Sequence, residues 1–196
     1  GHYYNGVLAS DDTGKTWGVA RLINSNVRSL CSTRSAGLLA GTFRGGISRS
    51  SDAGDRWEFS GLAEYDVSLV RESPDGTLYA SGIFKFATGQ GMRLFISSDS
   101  GITWNRNHGS GTGNEISDLA VQADGGVWLA STYGIEFSSD RGVTWTVPLS
   151  WMRFGEGRTT IAISPNGTLF TGARTQGLLS SNDRGATWKH VNLDPS

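Results

Sequence analysis

Asp66 and Glu115 stand at matching places along the chain, each four residues ahead of an apolar residue, Val70 and Leu119. Two carboxylates held about 5–10 Å apart across a cleft can work as acid and base, or acid and nucleophile, on a glycosidic bond. Asp66 and Glu115 are therefore the catalytic candidates, with Glu64, Asp118 and Glu156 the other acids near the same loops. The commoner use of such positions is a solvated strand start with no chemistry at all. A second group carries binding chemistry: Arg44, Phe84, Phe86, Tyr133, Trp151, Arg153 and Arg174. Aromatic faces stack on sugar rings, and guanidinium groups grip anionic groups. His108 and His190 stand in no metal-ligand spacing, and the single Cys31 rules out a cysteine-based zinc site and any intrachain disulfide. No glycine-rich phosphate loop stands in strand-to-helix context and no Gly-x-Ser-x-Gly elbow occurs. Neither metal nor cofactor is expected.

Most of the remaining order comes from one eight-residue pattern, Ser-x-Asp-x-Gly-x-Thr-Trp, found five times: Ser10–Trp17, Ser50–Trp57 (with Arg56 for Thr), Ser97–Trp104, Ser138–Trp145 and Ser181–Trp188. Successive box tryptophans are 40, 47, 41 and 43 residues apart. Repetition at that period means one supersecondary unit used several times. Within the box, Ser and Asp can hydrogen-bond nearby backbone N–H groups, Gly supplies a positive φ, and Thr-Trp restarts an extended segment whose indole can cover the neighbouring unit. Asp12, Asp52, Asp99, Asp140 and Asp183, with Trp17, Trp57, Trp104, Trp145 and Trp188, are accordingly read as structural. The Asp-rich turns lack the spaced acidic ligands and terminal Glu of a calcium loop.

The elements that carry these residues are short strands. Val27–Ser32, Ser68–Arg71, Ile116–Val121 and Thr159–Ser164 each precede a turn signal, then a second apolar run, then the strand that enters a box. Four strands per 40–45 residues is the pattern of a β-propeller blade. We read an all-β propeller domain over residues 1–196, with repeats at about 1–25, 26–65, 66–113, 114–157 and 158–196. Four units are complete. The first supplies only third and fourth strands, Val7–Ser10 and Trp17–Ala20, so four blades and a half are expected. A half blade leaves an open edge, which a second copy of the chain could cover in a homodimer.

In a propeller the second-to-third-strand loops and the blade links emerge together. Here these are Thr42–Gly46, Gly82–Arg93, Thr132–Gly134 and Ala173–Gly177, with the links Ala20–Asn26, Gly61–Asp66, Asn105–Glu115 and Pro148–Arg158. Gly82–Arg93 and Pro148–Arg158 are longer than the repeat needs and rich in aromatic and basic residues, which points to a binding surface.

The repeated box resembles the Asp-box, or bacterial neuraminidase repeat, of sialidases, xyloglucan-active glycoside hydrolases, photosystem II stability/assembly factors and sortilin-type receptors. That resemblance implies the propeller fold, with the boxes between third and fourth strands and away from the active face. It leaves function open, because the families sharing the box differ in what they do. A sialidase would need an Arg-Ile-Pro segment, an arginine triad and a Tyr–Glu pair; no Arg-Ile-Pro occurs here and no Tyr–Glu pairing is identifiable. The simple repeat is most similar in style to the assembly-factor propellers. A non-catalytic binding or scaffold module for a protein or glycan is thus expected, with a glycan-binding domain or a piece of a glycoside hydrolase as the alternative. The resemblance favours a secreted or periplasmic setting.

Composition narrows the partners. Seventeen basic and 18 acidic side chains leave a formal charge of −1, with no electrostatic case for nucleic acid or an anionic membrane. No run approaches the length of a membrane span and no signal peptide is visible. Twenty-eight glycines and seven tryptophans fit many tight turns between aromatic-bearing strands. Cys31, in an apolar run, is expected to be a buried small hydrophobe.

Overall fold

A computed structural model describes residues 6–18, 22, 25–86, 92–107, 116–131, 134–149, 159–173 and 177–192. Sixteen strands among them form four antiparallel sheets, each of four strands taken in chain order. The first holds β1 (Asn26–Thr33), β2 (Gly37–Phe43), β3 (Gly46–Ser50) and β4 (Glu58–Gly61). The second holds β5 (Tyr65–Glu72), β6 (Leu78–Phe84), β7 (Arg93–Ser97) and β8 (Asn105–Asn107). β9 (Ile116–Val121), β10 (Val127–Ser131), β11 (Gly134–Ser138) and β12 (Thr146–Leu149) make the third. β13 (Thr160–Ile163), β14 (Leu169–Ala173), β15 (Gly177–Ser181) and β16 (Lys189–His190) make the fourth.

The chain divides into two compact units. Residues 1–106, except 73–75 and 91–93, form the first, and the remainder form the second. Second strands are the driest elements: every residue of β10 is buried, as are Leu78–Gly82 of β6. Burial on both faces requires apolar or small residues at successive positions, and Leu39-Ala40-Gly41 and Val127-Trp128-Leu129-Ala130 supply them. In the first unit Leu39, Ile47, Val67, Val70, Leu78 and Phe95 share a core. In the second, Trp128, Ile135, Ile161, Leu169 and Leu179 do so. Gly41 marks where β2 and β5 come close, since a Cβ there would lie 2.8 Å from Val67 Cγ1.

Each box closes as a clasp of side-chain bonds. The serine hydroxyl donates to the aspartate Oδ1 at 2.7–2.9 Å and accepts the glycine N–H at 2.6–2.9 Å. The same Oδ1 accepts the N–H four residues on, at 2.8–2.9 Å. In four boxes the threonine hydroxyl donates to Oδ2; Arg56 denies Asp52 that bond. These donors favour the charged carboxylate. Asp12, Asp99, Asp140 and Asp183 fall from the ordinary 3.8 to about 2, chiefly through the threonine hydroxyl. Asp52 is lowered by the Arg56 N–H and the Ser50 hydroxyl.

Four features differ from the sequence reading. The residue ahead of each box glycine is also left-handed: Thr13, Ala53, Ser100, Arg141 and Arg184 have φ between 56° and 61°. Such a conformation costs an L-residue about 1–2 kcal/mol, which the clasp offsets. The first box keeps its clasp but not the two full strands expected at Val7–Ser10 and Trp17–Ala20. Among the described residues it keeps an isolated bridge at Val7 and a backbone bond from Gly18 N to Ala9 O at 2.6 Å, and residues 19 and 20 lie outside them. Three box indoles bond back to their own clasp, while Trp104 and Trp188 pack against cores shared by adjacent sheets. Trp57, Trp145 and Trp188 donate to the carbonyl of their own box glycine, whereas Trp104 reaches Ser60 O on β4. Among the described residues the fully buried tryptophan is Trp128, outside every box. Finally, Cys31 is half-buried and packs against the first core rather than within it.

Candidate ligand-binding surface

One end of the first unit gathers the residues of the β2–β3 turn, the β4–β5 link and the start of the loop after β6. Arg44, exposed and with φ 61°, follows the last residue of β2. Its N–H donates to Asp66 Oδ1 at 2.7 Å, and its carbonyl accepts the Lys85 ammonium at 2.6 Å. Lys85 also donates through Nζ to Ala63 O and through its backbone N–H to Glu64 O at 3.0 Å. A lysine with two carbonyls to hold ties three loops at one point, so part of the charge in the long loop serves architecture. Asp66, a catalytic candidate, likewise spends one oxygen on holding the left-handed turn at Arg44.

From this knot an aromatic row runs outward. Tyr65 meets Phe95 at 4.6 Å between ring centroids and Phe84 at 5.5 Å, and Phe84 meets Phe86 at 5.8 Å, all edge-on. Phe95 is buried in the core and Phe86 is 80% exposed. A ring supported from behind in this way offers a flat apolar face to a ligand. On the first sheet, Phe43 carries two cations: the guanidinium carbons of Arg28 and Arg44 lie 4.8 and 5.2 Å from its centroid.

Arg44, Phe84, Phe86 and Asp66 are thus brought to one end of the first unit. Tyr133, Trp151, Arg153, Arg174 and Glu115, with Glu156, lie outside the described residues. Arg28, Phe43 and the role of Lys85 were missed. An aromatic–cation pair recurs at the same point of two successive repeats, Phe43-Arg44 and Phe84-Lys85, and that signal was available. Asp118 was weighed only as an acid. Its Oδ1 accepts Leu119 N at 2.9 Å and its Oδ2 accepts Ile161 N at 3.2 Å, joining the two sheets of the second unit.

Two clefts lie elsewhere. One of about 480 Å³ in the second unit is bounded by Gln122, Asp124, Asn166, Asn182 and Arg184. Its one carboxylate, Asp124, faces Arg184 at 3.7 Å. The other, of about 360 Å³ in the first unit, has Glu58 as its one carboxylate beside Arg49 and Phe59. Neither presents the two carboxylates that acid–base cleavage of a glycoside requires. Among the described residues no three His, Cys, Asp or Glu side chains come together to hold a metal ion.

No family model matches the chain, and no curated protein matches it. Solved structures do. An ancestral GH74 enzyme superposes with a TM-score of 0.78 at 16% identity, over 97% of this chain and 28% of its own. YCF48 bound to D1 peptide gives 0.65 at 16% identity, over 94% of this chain and 62% of its own. The GH74 xyloglucanase from Xanthomonas campestris gives 0.69 at 19% identity, over 86% and 31%. The chain has the fold of β-propeller blades. It spans between about a quarter and two thirds of the length of these neighbours, and identities this low speak for the fold alone.

Proposed function

We propose that this chain is a non-catalytic binding module built of Asp-box propeller blades, with its ligand surface at the end that carries Arg44 and Phe86. The observation that carries this reading is the knot at Lys85. It ties the loop that carries an exposed ring to the turn that carries an exposed arginine, and such pre-organisation lowers the cost of ordering a surface on binding. The commitment of Asp66 to the Arg44 N–H supports a binding role over a catalytic one. Box geometry supports the Asp-box reading, because each aspartate is consumed by its own turn. A carbohydrate-active module is the second reading. The exposed ring of Phe86 favours it, and GH74 enzymes are among the structural neighbours. A secreted or periplasmic setting goes with either.

Screening on a glycan array and a peptide array, followed by titration of the hits, tests the reading. Phe86→Ala and Arg44→Ala are expected to weaken the hit at least about tenfold, or ~1.4 kcal/mol, with the melting temperature within a degree of the parent. Affinity that survives both changes would move the site elsewhere. Release of reducing ends from xyloglucan by the parent chain would overturn the non-catalytic assignment.

A further inference from the structure

We propose that Arg28, Phe43 and Arg44 form a carboxylate-binding subsite, and that together with Phe86 they select an acidic saccharide carrying a uronic acid. The proposal deepens the binding reading and rests on it.

Arg28 owes its place to a β-bulge. The pairing of β1 with β2 slips between Val27 and Ser29, leaving Arg28 as the extra residue, and a bulge re-aims the side chain it frees. The same slip recurs in the next two sheets, with Ser68 between Val67 and Leu69 and Ser117 between Ile116 and Asp118. Those serines turn inward: Ser68 meets the Ser81 hydroxyl at 3.2 Å, and Ser117 donates to Ala130 O and Thr159 O at 3.2 and 2.6 Å. The first sheet replaces this internal bond with an exposed guanidinium laid on Phe43.

Arg44 reaches the same ring from the β2–β3 turn. Two like charges gathered on one ring repel each other, and an anion between or above them removes that repulsion. Among the described residues neither guanidinium forms an ion pair with a carboxylate. Asp66 faces the Arg44 N–H rather than its side chain, and Glu64 meets Lys85 through backbone atoms. Among the described residues the pair is therefore uncompensated and exposed; its ring closes a strand, and the Arg44 backbone is held at both its N–H and its carbonyl. A planar guanidinium pair suits a planar carboxylate.

The neighbouring ring chooses among carboxylates. Phe86, an exposed ring, follows Lys85, whose ammonium donates to Arg44 O, so the loop that carries this ring is tied to the turn that carries Arg44. A pyranose ring stacks by its C–H face on such a platform while its C6 carboxylate turns to the arginines. An acidic peptide shares the carboxylate but brings no flat apolar face.

Calorimetric titration with trigalacturonate, its methyl ester, a neutral xyloglucan oligosaccharide and hexaglutamate decides the matter. Trigalacturonate is expected to bind, with the ester weaker by at least about tenfold. Arg28→Ala and Arg44→Ala should each weaken trigalacturonate by a similar factor, Arg28→Lys less, and Phe86→Ala should weaken it too. Unchanged melting temperatures in these exposed-site variants confirm folding. Equal binding of acid and ester, or indifference to both arginine changes, overturns the proposal. So does failure of trigalacturonate to bind, and so does binding of hexaglutamate in its place, which assigns the pair to an acidic peptide. A neutral oligosaccharide lost on Phe86→Ala but untouched by the arginine changes overturns this subsite while leaving the binding-module reading in place.

Discussion

The hydroxyl of each box serine sits between two obligations, giving its proton to the aspartate and accepting the glycine N–H. In the third and fourth boxes that serine is dry, with Ser97 at 0% and Ser138 at 1% exposure. Removing the hydroxyl leaves a buried N–H without a partner, so Ser97→Ala and Ser138→Ala are each expected to cost about 1–3 kcal/mol. Ser10 makes the same bonds, but Gly14 is exposed and water replaces the lost acceptor. Chemical denaturation should therefore show Ser10→Ala as the mildest of the three. Tryptophans divide in the same way. Trp128→Ala is expected to cost about 3–5 kcal/mol, whereas Trp17, 62% exposed, should tolerate alanine within about 0.5 kcal/mol. Equal losses at Trp128 and Trp17 would contradict the burial argument.

Strands meet closely in the first unit at Gly41, and this is where an element-level change is felt. Its backbone is ordinary β and would accept alanine, but the added methyl would meet Val67 Cγ1 at 2.8 Å. Gly41→Ala should cost about 1–3 kcal/mol by overpacking, and Val67→Ala in the same chain should recover part of it. Loops are governed by Lys85. Lys85→Ala releases the carbonyls of Arg44 and Ala63 together, so the turn and the link lose a shared anchor. Amide exchange at Arg44 is expected to accelerate while exchange in β6 stays at the parent rate. Unchanged protection at Arg44 would show that the Asp66 bond alone holds the turn.

Across the whole molecule the clasps add up to a pH dependence. Four aspartates titrate near 2 in the folded chain against an ordinary 3.8, and Asp52 is lowered as well. A depressed carboxylate stabilises the folded state above its unfolded pKa and loses that contribution as pH falls through the folded value. Melting temperatures should therefore hold level from pH 7 to about 5 and fall most steeply between about pH 4 and 2. Asp99→Asn and Asp140→Asn should lower the melting temperature at neutral pH and flatten this acid limb. A parent chain that melts at the same temperature at pH 2 and pH 6 would show that the clasps contribute nothing to stability.

Bonds that close within four residues were legible in the chain itself. Ser97, Asp99, Gly101 and Thr103 satisfy one another across a single turn, so their types and spacing determine the clasp wherever it stands, and five copies determine the blade period. The four complete blades followed, since strand, Asp-Gly or Asn-Gly turn and strand is local chemistry too. The second left-handed residue of each box was not legible, because Thr13, Ala53, Ser100, Arg141 and Arg184 are of four different types and all five have only their place in the clasp in common. Only tertiary structure decided the rest. Arg44 meets Asp66 across 22 residues and Lys85 across 41, and Arg28 reaches Phe43 through a bulge whose one-residue slip leaves no mark in the sequence. Trp128 is buried because its ring lies where Gly185 has no side chain. Register and packing between distant strands are joint properties of both partners, and that is why the fold was readable from the residues in order while the tie between Arg44, Asp66 and Lys85 was not.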